Sequence, residues 1–573
     1  MSSFAVPLAD MRFVLEHVAE LPEIAALPGL EHAGTDIVDA ILEEAAKLAT
    51  NVLAPLNQTG DRDGAVLENG VVRTAGGFQQ AYRDYCAGGW MGAVFPESLG
   101  GQDLPWLVNA AVAEIWNAAN LSFQLCPLLT QGAIEAILHH GTQAQKELYA
   151  PRLISGQWTG AMCLTEPQAG SDVGALRTRA VRDGEHYRIF GSKIFITYGE
   201  HDLAENIVHL VLARLDGAPA GTAGISLFVV PKFLPGPDGS LGARNDLRCV
   251  SLEHKLGIKA TPTCVMAYGD TEGAVGFLLG EENQGMRCMF TMMNNARLAV
   301  GNEGLGLAQR AYQQALTYAH ERVQGRRDGV SVAIAAYPDV RRMLLTMRAQ
   351  IAAMRALCYW TAGCVDRSLR AADAAERERA AGHVALLTPM VKAWCTDVAQ
   401  EVAATAIQVH GGMGFIEETG AAQHYRDAKI LAIYEGTNGI QALDLVGRKL
   451  DLADGELPWR LLAELRHALP TPSADLAAAL DVLERVTRHL QAAGRDDRAA
   501  GASAYLRLFA TVLGGCLLAR GAEAATRHPG SGGDDWPGLA RFYLVSVLPP
   551  ALALAPQITA GAALLDAGLP SPA

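Results

Sequence analysis

The order of helical and strand-like blocks constrains the fold of this chain more than any other sequence feature. Up to about residue 155, apolar residues recur at helical spacing, with glycine pairs such as Gly76-Gly77 between the segments. From about residue 156 to 280, short runs rich in β-branched residues, such as NIVHLVLARL and ISLFVVP, alternate with turn-forming residues. From about Asn294 the helical spacing returns and continues towards the C-terminus. Separated blocks of this kind predict an α+β protein of several domains and not alternating β-α units.

The blocks also predict domain boundaries and the starts of some helices. We expect four domains: a helical N-terminal domain (1–155), a central β domain (156–285), a helical bundle (286–450) and a further helical extension (451–573). Pro338 and Pro389 are expected near the starts of long amphipathic helices. The most apolar stretch, Tyr543 to Leu565, contains three prolines, so we expect a short buried helical segment there and not a membrane span.

Charge and cysteine content exclude several classes of function. The formal net charge of the 573 residues is −14, which argues against nucleic acid or an anionic membrane as the main partner. Ten cysteines without zinc-type spacing predict a reduced, cytoplasmic protein with no disulfide framework and no metal site. The N-terminal segment MSSFAVPLADMRFVLE has no basic region followed by an apolar stretch, so we expect no secretory signal.

Two motifs of the strand-like block offer ligand-binding groups. LTEPQAGSD, Leu164 to Asp172, supplies the hydroxyls of Thr165 and Ser171, and Gly170 lets a ligand approach the backbone closely. The same residues also suit an ordinary loop. GSKIFIT, Gly191 to Thr197, is by itself a strand with one lysine.

Three further motifs lie in the later helical blocks. In YAHERVQGRR, the arginines suit either phosphate oxygens or a solvated basic helix end. In QVHGGMGF, the paired glycines suit a cofactor or a plain helix stop, and the pattern is not the dinucleotide-binding GxGxxG. In IYEGTNGIQ, Glu435 lies among apolar residues. A carboxylate held against apolar walls has a raised pKa and suits a general base, whereas an exposed loop glutamate remains the plain alternative.

Taken together and in this order, with NNAR at Asn294 to Arg297, these motifs resemble the acyl-CoA dehydrogenase family of flavoproteins, from about Ile37 to Leu450. The segments VPLADMRFVLE and YEGTNGIQALDLVGRKL are similar to a long branch of that family, which has a C-terminal extension and includes enzymes of dimethylsulfoniopropionate breakdown. The resemblance implies a helical N-terminal domain, a central β-barrel-like domain, a C-terminal four-helix bundle and additional C-terminal helices. It also implies FAD as the cofactor, bound without a Rossmann fold.

The resemblance assigns site residues position by position. The residues implied to bind FAD are Met162, Leu164, Thr165, Ser171, Phe195, Ile196, Thr197, Arg322, Gln324, Gln408, Gly411, Gly412, Thr437 and Asn438. Those implied to border the acyl-CoA are Ser171, Asn294, Arg297, Tyr434 and Gly436. Many relatives have tryptophan where this chain has Phe195, so an aromatic wall is kept there.

The resemblance further implies the reaction. Glu435 would remove the α-proton of an acyl thioester while the β-hydrogen leaves as hydride to the flavin, which gives a trans-2-enoyl-CoA. Some family members place the base just before the equivalent of Arg297, but Ala296 occupies that position here and cannot remove a proton. The branch implies a short or medium acyl-CoA such as 3-(methylthio)propanoyl-CoA, an electron-transferring flavoprotein as electron acceptor, and a homodimer.

Three alternatives stay open at the level of sequence. The first is an acyl-CoA oxidase that is reoxidised by oxygen, and the second is a general short- or medium-chain acyl-CoA dehydrogenase of β-oxidation. The third is an inactive scaffold paralogue, against which the intact Glu435 argues. In every case we expect an enzyme or scaffold with no nucleic-acid or membrane partner and no metal.

Overall fold

The computed structural model describes residues 4–469, 474–566 and 568. The chain forms two compact units. The helical unit comprises Met1–Ala46, Pro105–Ala118 and Arg297–Ala573, and the β unit comprises Lys47–Leu104 and Ala119–Ala296.

Most of the described chain is helical. The helices are α1 (Leu8–His17), α2 (Leu21–Ala25), α3 (Thr35–Leu48), α4 (Ala54–Asp63), α5 (Phe78–Ala87), α6 (Trp106–His140), α7 (Gln143–Ile154), α8 (Gly285–Glu321), α9 (Pro338–Arg370), α10 (Ala374–His410), α11 (Ala421–Leu431), α12 (Asn438–Gly447), α13 (Leu457–His467), α14 (Ala474–Ala492), α15 (Arg495–Arg527), α16 (Trp536–Ser546), α17 (Leu548–Leu552) and α18 (Ala555–Thr559). Helices α3, α6 and α8 contain boundaries between the units.

Most of the strands lie where the sequence predicts a β block. The strands are β1 (Val66–Glu68), β2 (Val71–Arg73), β3 (Trp158–Cys163), β4 (Arg179–Asp183), β5 (His186–Thr197), β6 (Asn206–Leu215), β7 (Ile225–Pro231), β8 (Phe233–Pro235), β9 (Leu241–Arg244), β10 (Leu247–Leu252), β11 (Thr263–Tyr268), β12 (Ala274–Leu279), β13 (Val323–Arg327) and β14 (Val330–Ala333).

The β unit is built around a sheet that closes on itself. Strand β5 pairs with β12, β12 with β7, β7 with β6, β6 with β4, and β4 again with β5. Outside this ring, β11 pairs with β5, β10 with β11, and β3 runs parallel to β6. Buried apolar side chains such as Val211, Phe228 and Tyr268 form its core. The expected central β-barrel-like domain is therefore confirmed.

The helical unit is a bundle of long helices. Helices α9 and α10 pack against each other, α1 and α2 pack on α9, and α15 of the C-terminal extension packs against α9, α10 and α12. Helix α8 approaches α10 closely because of two glycines. A Cβ at Gly301 would lie 2.7 Å from the carbonyl oxygen of Val391, and one at Gly304 would lie 2.9 Å from that of Cys395. The expected bundle with additional C-terminal helices is confirmed.

Two hairpins interrupt blocks that the sequence pattern predicts to be helical. Strands β1 and β2 are joined by Asn69-Gly70, and β13 and β14 by Asp328-Gly329. All four turn residues have positive φ, as a type I′ turn requires, and Asn-Gly and Asp-Gly are the residues that favour this turn. The basic segment after α8 is therefore a strand and not a basic helix end.

The proline predictions have mixed outcomes. Pro338 is the first residue of α9, as expected. The prediction for Pro389 is wrong, because this residue lies inside α10, which is buried around that position. The packing of the buried residues around Pro389 stabilises the helix by more than the loss of one backbone hydrogen bond destabilises it.

Three helical stretches are long and apolar enough to cross a membrane, judged by length and composition: Trp106–His140, Arg495–Arg527 and Trp536–Thr559. The protein itself buries 89% of the most apolar window in each of the first two, but 28% in the third. The third breaks at its prolines, as expected, into α16, α17 and α18. The prediction of a buried segment there is wrong, because each short helix packs one side on α15 and leaves side chains such as Val545 exposed.

Candidate active site

A tight turn between α11 and α12 carries the residues that the sequence predicts at the reaction centre. Glu435 and Gly436 both have left-handed backbone, with φ of 55° and 82°. This conformation costs a non-glycine residue such as Glu435 about 1–2 kcal/mol. Strained backbone of this kind persists only where its surroundings hold it, and it is concentrated at functional sites.

Three side chains hold the carbonyl groups of this turn. Arg297 Nε and Gln441 Nε2 donate to the carbonyl oxygen of Glu435 at 3.4 and 3.3 Å. Lys392 Nζ donates to the carbonyl oxygen of Gly436 at 2.8 Å. These donors lie on α8, α12 and α10, so three helices of the helical unit fix the turn.

Thr437 and Asn438 fix the end of the same turn. Thr437 is the N-cap of α12, and its Oγ1 accepts a hydrogen bond from the N–H of Ile440 at 3.2 Å. The side-chain oxygen of Asn438 accepts from Lys392 Nζ at 2.8 Å, and its amide nitrogen donates to Asp397 Oδ1 at 2.7 Å. The polar atoms of the Asn438 side chain are therefore used inside the protein, where they position the turn.

The carboxylate of Glu435 is half-buried and has no hydrogen-bond or ion-pair partner among the described residues of the helical unit. Burial raises the pKa of Glu435 to about 7, although the charges of Arg297 and Lys392 favour the ionised form. The raised pKa predicted from the apolar sequence around Glu435 is confirmed. A carboxyl that titrates near neutral pH can both accept and release a proton under physiological conditions.

A second carboxyl lies beside the turn. The Tyr434 hydroxyl donates a hydrogen bond to Glu303 Oε2, and Glu303 is fully buried. Burial raises the pKa of Glu303 to about 8 against the opposing hydrogen bond from Tyr434, and the charge of Glu435 adds to the rise. Lys392 is also fully buried, which lowers its pKa to about 8.

The sequence analysis missed both Glu303 and Lys392. A usable signal exists, because each is a lone charged residue in an apolar or glycine-rich helical segment, GNEGLG and LLTPMVKAW. Charged residues in such segments are rarely buried without a partner.

In the β unit, the structure brings two predicted cofactor-contact motifs together. The backbone N–H of Ile194 donates to the carbonyl oxygen of Thr165 at 2.9 Å. Lys193 Nζ donates to the carbonyl oxygen of Leu164 at 2.9 Å and to Glu166 Oε1 at 2.8 Å. Since Lys193 and Glu166 are both buried, the lysine of GSKIFIT ties that strand to the loop LTEPQAGSD.

Phe195 stands out in this region. Its φ is 60° and its side chain is 58% exposed. The pairing of β5 with β11 shifts register between Cys264 and Met266, opposite this residue, so Phe195 lies in a β-bulge. Ile196 and Thr197 follow it and remain paired with β11. An exposed aromatic ring on strained backbone offers a face to a flat ligand.

Met162, Ser171 and Asn294 are the remaining predicted residues of the β unit. Met162 lies within β3, where its backbone pairs with Leu210 of β6. Ser171 and Asn294 are exposed. Within the described part of the β unit, no hydrogen bond joins Ser171 or Asn294 to Phe195.

Five of the residues predicted to bind FAD occupy two exposed places in the helical unit. Arg322 and Gln324 lie where α8 gives way to β13, and Arg322 Nη2 donates to Gln324 Oε1 at 3.3 Å. Gln408 lies in the last turn of α10, before Gly411 and Gly412, where an added Cβ would meet no atom within 4 Å. No hydrogen bond among the described residues joins the two places.

Comparison with known proteins decides the family. Four family models match in chain order: the acyl-CoA dehydrogenase N-terminal domain (35–157), the middle domain (161–271), the C-terminal domain (283–450) and an acetyl-CoA dehydrogenase C-terminal-like domain (460–567). The chain belongs to the acyl-CoA dehydrogenase family. It is therefore an oxidoreductase that acts on a CH–CH bond and uses FAD.

This acyl-CoA dehydrogenase is similar to individual proteins over much of its length. It is 48% identical over 551 residues, 93% of each chain, to the 3-methylmercaptopropionyl-CoA dehydrogenase of Ruegeria pomeroyi. The structure of butyryl-CoA dehydrogenase from Megasphaera elsdenii has a TM-score of 0.60 and 27% identity, over 72% of this chain and 98% of that one. A structure described as the electron transferring flavoprotein of Acidaminococcus fermentans has a TM-score of 0.61 and 28% identity, over 73% of this chain and 98% of that one.

The donor sets of this acyl-CoA dehydrogenase suit FAD. Arg322 and Gln324 present an exposed guanidinium and an amide, which suit phosphate oxygens. The open backbone at Gly411 and Gly412 leaves room for a ligand. Phe195 offers an aromatic face, next to a loop whose Thr165 hydroxyl can donate a hydrogen bond.

Proposed function

We propose that this acyl-CoA dehydrogenase oxidises short or medium acyl-CoA thioesters, with 3-(methylthio)propanoyl-CoA as its preferred substrate, to the trans-2-enoyl-CoA. The substrate is supported by the extended similarity to a 3-methylmercaptopropionyl-CoA dehydrogenase. We infer that Glu435 is the base. One observation carries this role: Glu435 stands on a strained turn held by three helices, and its half-buried carboxylate has a pKa near neutral.

In this proposal the protein's own groups move the proton and stabilise charge. The Glu435 carboxylate takes the proton from the carbon next to the thioester carbonyl. The negative charge that develops on the thioester oxygen needs a hydrogen-bond donor. Among the described residues of the helical unit, the backbone N–H of Glu435 makes no hydrogen bond to another backbone group, so it is available for that purpose.

Arg297 and Lys392 have a supporting role. Their hydrogen bonds to the turn fix the direction of the Glu435 side chain, and their positive charges keep its pKa from rising further. Because Glu435 is held next to one carbon–hydrogen bond of the substrate, the two groups do not need to meet by diffusion, which lowers the entropic cost of proton transfer. FAD, when bound, supplies the acceptor for the hydrogen that leaves the β carbon.

Partners and location are part of the same proposal. We infer that the electrons pass to an electron-transferring flavoprotein, which the similarity to a protein described by that name supports. A homodimer is supported by the long-branch features of the sequence, since α13, α15 and α16 of the extension pack against α9, α10 or α12 in the helical unit. A net charge of −14 and ten free cysteines favour the cytoplasm.

The substrate proposal is tested by anaerobic reduction of the flavin in the purified holoenzyme. The oxidised flavin band is followed after addition of 3-(methylthio)propanoyl-CoA, butyryl-CoA, and a longer straight-chain acyl-CoA. We expect bleaching with the first two and the fastest flavin reduction with the sulfur-containing thioester. Faster reduction by butyryl-CoA would reassign the substrate. Rapid peroxide production from the reduced enzyme in air would reassign the acceptor to oxygen.

A further inference from the structure

The buried Glu303 and the half-buried Tyr434 form a hydrogen-bonded pair next to the proposed base. Glu303 lies on α8, and its side chain is 0% exposed. Its Oε2 accepts the hydrogen bond from the hydroxyl of Tyr434, the residue immediately before Glu435. Its other oxygen, Oε1, is buried and has no hydrogen-bond partner among the described residues. An ionised carboxylate is costly in such a place, because a buried charge needs partners for its oxygens.

The titratable and charged groups that act on this pair come from three elements: Lys392 on α10, Asp427 on α11, and Glu435 in the turn. The ammonium of Lys392 is bound to the carbonyl oxygen of Gly436 and to Asn438, and not to Glu303. No described cation therefore forms an ion pair with Glu303. Burial raises its pKa, Tyr434 opposes the rise, and Glu435 adds to it.

We propose that Glu303 is a positioning residue for the proposed base: it holds a proton at neutral pH, anchors the Tyr434 hydroxyl, and leaves Glu435 as the carboxyl that ionises. This inference rests on the role proposed for Glu435. Because Tyr434 and Glu435 are consecutive, the anchored phenol fixes where the strained turn begins. Because a neutral Glu303 adds no negative charge, it does not oppose the charge that develops on the substrate during proton removal.

Because the charge of Glu435 raises the pKa of Glu303, the two carboxyls are expected to titrate as a pair. Ionisation of Glu435 makes ionisation of Glu303 harder, and the effect is reciprocal. The pair is therefore predicted to lose its protons in two steps, the first mainly from Glu435 and the second mainly from Glu303.

Infrared difference spectroscopy of the holoenzyme measures the proton directly. The protonated-carboxyl band is followed from about pH 5 to about pH 10, across the range of perturbed carboxyl pKa values. In wild type we expect one carboxyl to remain protonated through neutral pH and to ionise in the alkaline range. The band is expected to be absent from Glu303→Gln, and in Glu435→Gln to disappear at a lower pH, because the charge of Glu435 no longer opposes ionisation.

Kinetics provide the second readout. Glu303→Gln keeps an oxygen for the Tyr434 hydroxyl and no charge, so we expect its kcat to remain within about twofold of wild type. Glu303→Leu and Tyr434→Phe each remove the hydrogen bond, and we expect kcat to fall by about tenfold with little change in KM. In the double variant we expect no larger loss than in either single variant, because both remove the same interaction.

The outcomes separate this inference from the proposed base. If the alkaline band is the same in wild type and Glu303→Gln, or does not move in Glu435→Gln, the inference is wrong, whatever the activity. If the band behaves as expected but Glu435→Gln turns over at the wild-type rate, the assignment of Glu435 as the base is wrong. The inference that Glu303 is protonated at neutral pH is then retained. A tenfold loss in Glu303→Gln would also overturn the inference, because that variant keeps both the acceptor and the neutral state.

Discussion

Lys392 Nζ on α10 lies 2.8 Å from the carbonyl oxygen of Gly436 and 2.8 Å from Oδ1 of Asn438. One buried ammonium thus joins the end of the strained turn to the first residue of α12. The turn begins at Tyr434, whose hydroxyl is bound to Glu303. The backbone of Glu435 is therefore held at both ends by side chains that approach it from other helices.

Lys392→Met tests this anchoring. The variant leaves the Gly436 carbonyl and the Asn438 amide without their charged donor. A hydrogen bond to a charged group contributes about 1.5–3 kcal/mol, so we expect the free energy of unfolding to fall by about 2 kcal/mol and kcat to fall by one to two orders of magnitude. Lys429→Met on α11 is the control, since Lys429 is exposed and donates its hydrogen bond to Gln400 and not to a residue of the turn. Equal effects of the two variants would contradict the anchoring.

Gly436→Ala tests the left-handed backbone. The φ of Gly436 is 82°, and a Cβ there would lie 2.9 Å from Gln441 Nε2. We expect destabilisation by about 1–2 kcal/mol together with a reduced kcat. Gly439→Ala, three residues further on in α12, meets only the Thr437 hydroxyl at 3.7 Å and is expected to stabilise by about 0.5–1 kcal/mol, as alanine does in a helix. Calorimetry of both variants measures these changes in stability. An unchanged stability of Gly436→Ala would argue against strain in the turn.

The pH dependence follows from the raised pKa of Glu435, about 7. The base must be ionised in the free enzyme, so kcat/KM is expected to be high above this pKa and to fall as the pH drops through it. Lys392→Met is expected to move the midpoint to a higher pH, because the charge of Lys392 favours the ionised carboxylate. A profile that is flat from about pH 6 to about pH 8 would contradict the assignment, since that range spans the expected midpoint.

Glu166→Gln tests the buried ion pair that joins the loop LTEPQAGSD to strand β5. Glu166 Oε1 accepts from Lys193 Nζ at 2.8 Å, and Oε2 accepts from the backbone N–H of Arg177 at 2.7 Å. Burial alone would raise the pKa of Glu166, but Lys193 and these hydrogen bonds hold it at about 2. Removing one partner of a buried ion pair costs about 3–5 kcal/mol, and we expect a matching loss of bound flavin.

Asp270→Asn is the matched control for this variant, because its ion pair with Arg248 is exposed. An exposed pair contributes about 0–1 kcal/mol, so we expect unchanged stability and flavin content. Denaturation by urea and the flavin-to-protein absorbance ratio measure both effects. Similar losses in the two variants would show that the Glu166–Lys193 pair has no special role.

The sequence predicts the block order, the central β domain and the later helical bundle, because the spacing of apolar residues in long segments indicates helix or strand without tertiary information. The base role of Glu435 comes from the resemblance of its motif to the family, since the residues around it also suit an exposed loop glutamate. The hairpins at Asn69-Gly70 and Asp328-Gly329 were predictable too, because both turns carry a short-range signal. The helical periodicity around them obscured that signal.

Other features depend on contacts between residues that are far apart in the sequence. Tyr434 and Glu303 are 131 residues apart, and Lys392 and Gly436 are 44 apart. The pairing of Thr165 with Ile194 and the bulge at Phe195 arise only when β5 takes its place between β11 and β12. No local pattern specifies these partners, because each side chain alone is equally suited to a solvated loop or helix face.

The central claim, that Glu435 removes the α-proton, is tested most directly by the rate of flavin reduction in a single turnover under anaerobic conditions. Wild type and Glu435→Gln, both loaded with FAD, are mixed with 3-(methylthio)propanoyl-CoA. The account predicts that Glu435→Gln retains the oxidised flavin spectrum of the wild type but is reduced at least about a hundredfold more slowly, the lower end of what a general base contributes. Reduction of Glu435→Gln at the wild-type rate would contradict the account.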